Sequence, residues 1–123
     1  MLKNIFTILL LLSLSNLYAE DYFFKGVRVP LDKHGDYALI SKECVNCMAK
    51  RALKEITPME NYGIMAIGAP GAKLCMSIEG AKYEIFDSKL GQQGFCLFSD
   101  GSYVDTDGLM YFSDPSNKKK IDN

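Results

Sequence analysis

Few side chains in this sequence could do chemistry, and the most suggestive are two sulfurs. The stretch "ECVNC" sets Cys44 and Cys47 three positions apart, just ahead of the helix-like run "MAKRALKEI". Such a pair serves thiol–disulfide exchange, half of a metal site, or a covalent staple. For exchange, the first thiolate of a Cys-x-x-Cys at a helix N-terminus is stabilised by the helix dipole, which makes it nucleophilic. Against that use, no aromatic residue precedes Cys44, the intervening pair is Val45-Asn46, and the neighbouring Glu43 disfavours a thiolate. The segments that follow supply no parallel βαβ continuation. A zinc site would need four ligands, and Cys44, Cys47 and His34 fall short unless Cys75 and Cys96 join them. A structural bridge is the preferred reading, with a thiol–disulfide oxidoreductase using Cys44 and Cys47 as the alternative.

The other candidates are weaker. His34 sits alone in the polar turn "DKHGD", and no Ser-His-acid arrangement surrounds it. Without His34 the only conventional general bases are carboxylates. Asp100, Asp105, Asp107 and Asp114 invite a calcium reading, but "DTDG" lacks the third aspartate and the distal glutamate of an EF-hand loop. Turn chemistry explains both Asp-Gly pairs without an ion. No catalytic residue, metal ligand or cofactor is therefore assigned, and methionines such as Met48, Met59, Met65, Met76 and Met110 are expected to fill core gaps.

The elements that must position these groups come from a chain of 123 residues with four cysteines, one histidine and no tryptophan. Its start reads as a signal peptide over residues 1–19: Lys3, an apolar stretch from Ile5 to Leu12, a polar patch and Ala19 at the cleavage point. That stretch is shorter than the roughly 20 residues a spanning helix needs. Removing Lys3 leaves thirteen basic against fifteen acidic residues, a net charge of about −2. Such a balance argues against a nucleic-acid partner, which requires a basic surface. All four cysteines lie in the exported part, where an even count usually means two bridges, with three connectivities open.

Along the mature chain "DYFFKGVRVPL" reads as a short strand ending at Pro30. Apolar positions at Tyr37, Ile40, Cys44, Cys47, Met48, Ala52, Leu53 and Ile56 predict an amphipathic helix, starting as late as Ser41. "GIMAIGAPG" is a buried connector or brief strand. Pro70 suits the first turn of a second helix that stops at Gly80. The period then changes to alternation in "KYEIF" and "GFCLF", with Asp100-Gly101 as a two-residue hairpin turn, and "YVDTDGLMYF" supplies a last strand or strand pair. The expected fold is α+β: two helices followed by a small antiparallel β-meander, stapled by disulfides. The expected organisation is a strand-and-helix extension over residues 20–66, a domain over 67–114 and a flexible basic tail over 115–123.

From Ala69 the sequence resembles the small secreted bacterial domain of unknown function 333, whose members carry a haemolysin label. That family runs Asn-Pro-Ala, a helix bearing a cysteine, Gly-Gly, an extended Leu-Glu-Ile, a Gly-rich turn and Gly-x-Cys-x-Phe-Pro-Asp-Gly-Ser. Pro70, Cys75, Gly80-Ala81, Glu84-Ile85, Gly94, Cys96, Phe98, Asp100, Gly101 and Ser102 match it in order. Ala69 replaces the asparagine, Ser99 replaces the proline, Val104 sits where some members have a third cysteine, and the usual Glu-Trp-Ala step is missing. The resemblance implies that Cys75 and Cys96 pair within one domain; Cys44 and Cys47 then pair with each other or stay free. It implies an exported domain. The haemolysin label has no motif behind it here, and the mature chain shows no long apolar or basic amphipathic segment that would give stable membrane insertion.

The expected function is thus binding: a periplasmic or secreted protein-binding module, acting as an inhibitor or an accessory factor, for an envelope or extracellular protein. Tyr103, Tyr111 and Phe112 are its candidate contacts, together with the sheet edge after Asp100-Gly101.

Overall fold

The structure, a computed structural model, describes residues 21–59 and 70–120. The expected signal peptide lies outside the described residues, as does nearly all of the "GIMAIGAPG" connector. Within them the chain runs β1 (Tyr22–Phe24), β2 (Val27–Val29), β3 (Leu31–His34), β4 (Ala38–Ser41), α1 (Met48–Glu55) and α2 (Pro70–Met76). It continues as β5 (Lys82–Ser88), β6 (Gly91–Leu97), β7 (Tyr103–Asp105), α3 (Thr106–Ser113) and a 3-10 helix at Pro115–Lys120.

All seven strands belong to one antiparallel sheet in the order β2-β1-β5-β6-β7-β4-β3. Two helices followed by a small meander is therefore not the fold. Four strands precede α1, and β4 pairs with β7, so the first and last segments share the sheet. A third helix occupies most of what was expected to be the final strand pair.

The strand order has a geometric consequence. β2 and β3 stand at opposite ends of the sheet, yet only Pro30 separates them in the chain. Two residues of extended chain span about 7 Å at most, so the two ends must meet and the sheet rolls into a near-barrel. Pro30 marks the bend, and its carbonyl accepts from the Tyr103 hydroxyl at 2.6 Å and from the Lys42 N–H at 3.3 Å. Proline fits such a seam because it has no ladder N–H to leave unpaired.

Alternation along each strand sorts the side chains between two cores. Inside the near-barrel, Tyr22, Phe86 and Phe95 are buried, with Val29, Leu31, Leu39, Leu97 and Tyr103 around them. The Phe86 and Phe95 rings stack at 4.2 Å, so aromatic side chains fill this space. On the outer face Ala38, Ile40, Cys96 and Val104 pack against Leu53 of α1, Leu74 of α2 and Phe112 of α3. Cys75 and Cys96, both fully buried, join α2 to β6 with Cα atoms 5.5 Å apart. Cys44 and Cys47 are also joined, with Cα atoms 5.4 Å apart.

The misread segments have identifiable causes. "DYFFKGVRV" is a hairpin, because Lys25 and Gly26 both take positive φ (50° and 81°), the geometry of a tight type I′ turn. Residues 37–47 carry helical spacing, but Ala38 and Ile40 point into the outer core from a strand of only four residues, too short to show a period of its own. α1 begins where its N–H groups find acceptors. Met48 N–H donates to the Asp100 carboxylate at 2.8 Å, Ala49 N–H to the Ser102 hydroxyl at 3.0 Å, and Lys50 N–H to Cys47 Sγ at 3.5 Å. Two of these caps come from some fifty residues downstream. At the far end Lys118 Nζ donates to the carbonyls of Lys54 (2.7 Å) and Ile56, so the expected tail returns to cap α1.

Candidate functional site

Asp105 has a strongly shifted carboxyl, and its surroundings explain why. It is the last residue of β7 and the N-cap of α3, only 6% exposed. Its Oδ1 accepts from Leu39 N–H at 2.8 Å, and its Oδ2 from Gly108 N–H at 3.3 Å. Burial pushes its carboxyl up to about 6 against the pull of those two N–H bonds, and the nearby Asp107 charge adds to the rise. Such a value suits a general acid or base. Both oxygens are already engaged, however: one completes the β4–β7 pairing where the backbone ladder stops, and the other starts α3. Ser41 makes the parallel tie, accepting from Tyr103 N–H at 2.6 Å and donating to the Tyr103 carbonyl at 3.2 Å. Gly108 lets α3 approach this closely, since a Cβ there would lie 2.8 Å from Ala38 Cα and 2.6 Å from Asp105 Oδ1. The sequence signal for this junction was an aspartate three positions before a glycine, with a second aspartate in the following turn, a helix-start pattern.

Asp105 also lies in the floor of a surface cleft of about 250 Å³ bounded by Lys33, Asp36, Tyr37, Leu39 and Asp107. That volume is below the roughly 300–1,000 Å³ typical of sites enclosing drug-sized ligands. On its rim the Tyr37 ring, 46% exposed, stacks on Tyr111 with centroids 3.9 Å apart and planes 9° from parallel. Tyr37 is the last residue of the β3–β4 turn and Tyr111 lies on α3, so β4 and the Asp105 junction fix the pair.

The expected contact residues separate accordingly. Tyr111 lies at the cleft rim through its stack on Tyr37. Tyr103 is half-buried in the near-barrel, where burial raises its phenol above the ordinary range. Phe112 is fully buried in the outer core, edge-to-face with His34 at 5.9 Å. His34 ends β3; its Nε2 is buried and has no hydrogen-bond partner among the described residues, and burial, with Lys50 and Lys54 nearby, lowers its basicity. Tyr37 was missed because it was counted as one turn of a helix.

The second region surrounds Cys44 and Cys47. Both are partly exposed, Val45 between them is 71% exposed, and Cys47 is the N-cap of α1. The helix thus supports the second sulfur, where the sequence reading placed that support on the first. Asp100 shares this helix end; burial raises its carboxyl, but hydrogen bonds from Ser102 and Met48 outweigh that and hold it below its ordinary value. Beside it lies a groove of about 160 Å³ lined by Met48, Arg51, Ala52, Glu55, Ile78 and Phe98.

Among the described residues no group of three or more histidine, cysteine or acidic side chains is placed to hold a metal ion. No family model, curated protein or solved structure matches this chain. The two disulfides point to a non-cytoplasmic environment. Among the described residues no helix is long and apolar enough to cross a membrane.

Proposed function

We propose that this protein is a periplasmic or secreted accessory module that binds another protein through the Tyr37–Tyr111 face, gripping a cationic side chain of its partner. The observation that carries this reading is the stack of the exposed Tyr37 ring on the half-buried Tyr111, beside a cleft lined by three aspartates and one lysine. Aromatic rings offer large rigid contact area at low entropic cost and attract cations through their faces. The carboxylates of Asp36 and Asp107 supply the complementary charge, and the bonds of Asp105 to Leu39 and Gly108 hold β4 against α3 and so keep both rings in place. The resemblance over residues 69–112 to a secreted domain supports the location.

The test is a backbone NMR titration with a hexalysine peptide at low salt, hexaglutamate serving as control. Shifts confined to residues 33–39 and 105–111, weakened about tenfold by Tyr37→Ala, are expected for a cation–π contact that gives about 1 kcal/mol or slightly more. Absence of shifts, or shifts spread over the whole surface and unaffected by Tyr37→Ala, would overturn the reading.

A further inference from the structure

The two disulfides differ in what surrounds them. Cys75 and Cys96 are fully buried between α2 and the sheet, so an external thiolate cannot reach either sulfur without opening the core. Cys44 and Cys47 lie in the β4–α1 loop, partly exposed, next to the exposed Val45. Thiol–disulfide exchange depends on access and on the stability of the thiolate released. Access favours this pair, and so does the helix end. Cys47 Sγ already accepts from Lys50 N–H at 3.5 Å, and that contact strengthens when the sulfur carries a full negative charge. Asp100 works against it from Met48 N–H, one position along the same turn. Met48, which follows Cys47 directly, is also a wall of the groove formed with Ala52, Ile78 and Phe98. A largely apolar groove opening at the first residue after a redox-capable sulfur is where the residues flanking a partner's cysteine would lie.

We propose that Cys44–Cys47 is an exchangeable disulfide that oxidises a dithiol in a partner polypeptide, and that the groove of Met48, Ala52, Ile78 and Phe98 holds an apolar residue beside the partner's cysteine. A partner thiolate attacks the Cys47 sulfur; the partner–Cys47 bond forms, the Cys44–Cys47 bond breaks, and Cys44 leaves as a thiolate that takes a proton from water. The partner's second thiolate then attacks the partner sulfur of this mixed disulfide. The partner disulfide forms, and Cys47 leaves as a thiolate held by Lys50 N–H. The partner loses two electrons and two protons, and the Cys44–Cys47 pair gains the two electrons. The reverse sequence reduces a partner disulfide.

The experiment equilibrates the mature chain in glutathione buffers of graded ratio, quenches it by alkylation and maps the cysteines by mass. Cys44 and Cys47 are expected to titrate together while Cys75 and Cys96 stay joined. Cys44→Ser, which leaves Cys47, is expected to accumulate a glutathione adduct, and Cys47→Ser to accumulate far less. The reduced wild-type chain is expected to cleave insulin disulfides, and Met48→Ser to slow that reaction more than it slows exchange with glutathione. Circular dichroism on every variant separates loss of exchange from loss of fold. The proposal is overturned if both bridges open only together, if the adduct forms on neither single-cysteine variant, or if folded reduced protein leaves insulin intact.

Discussion

Asp105 offers a test in which one buried charge can be read through pH. Its carboxyl titrates near 6 in the folded chain and, with an ordinary value of 3.8, near that figure when unfolded. Above pH 6 it is ionised in both states, and the fold carries the cost of the buried charge. As pH falls through 6, the folded state takes up the proton first, so folding gains stability; the gain stops growing below about 3.8, where the unfolded chain also protonates. The separation of the two values corresponds to about 3 kcal/mol. Asp105→Asn removes that titration while keeping one acceptor for Leu39 N–H or Gly108 N–H. Whatever fixed cost the amide brings, the stability of the variant minus that of the wild type should fall by about 2 kcal/mol between pH 7.5 and pH 4. Urea unfolding followed by far-ultraviolet circular dichroism at four pH values measures this margin directly. A margin that stays constant would show that the two N–H bonds balance burial, and one that grows on acidification that they outweigh it; either result refutes a raised carboxyl at this junction.

Three further outcomes are expected. Removing Cys75–Cys96 as a double alanine variant should cost at least roughly 3 kcal/mol, because it frees a loop with a sequence separation of 21 and empties a packed site, whereas removing Cys44–Cys47, with a separation of 3, should cost roughly half as much; equal costs in urea melts would contradict this. His34 should act on stability in the sense opposite to Asp105: burial, then Lys50 and Lys54, lower its basicity in the fold, so the unfolded chain takes up the proton first as pH drops through 6.5. The advantage of His34→Phe should therefore grow below that pH, and thermal melts at pH 7.5 and 5.5 compare the two. Gly108→Ala should destabilise by about 1–3 kcal/mol despite the better helix propensity of alanine, since the new methyl meets Ala38 and Asp105; an unchanged melting temperature would contradict the close approach.

The sequence carried the local features that neighbouring residues decide. Pro70 at the start of α2, the alternating runs that became β5 and β6, and the turn at Asp100-Gly101 were all legible. In the last case Phe98 N–H bonds to the Ser102 carbonyl at 2.8 Å, so three residues turn the chain where two were expected. Side-chain period and turn chemistry act over a few positions, and a sequence displays them directly. Three- and four-residue strands do not last long enough to display a period, which is why the N-terminal half read as one strand and a long helix.

Tertiary structure alone decided where α1 begins, where β7 becomes α3, and which tyrosines meet. Met48 becomes the first helical residue because Asp100 and Ser102 bring acceptors from a distant turn, and Asp105 ends a strand because Leu39 lies across from it. Tyr37 faces Tyr111 only because the sheet closes at Pro30 and sets α3 against β4. Each of these depends on groups far apart in the chain whose hydrogen bonds and contacts form once water is excluded between them, and no local pattern of residue types encodes that meeting.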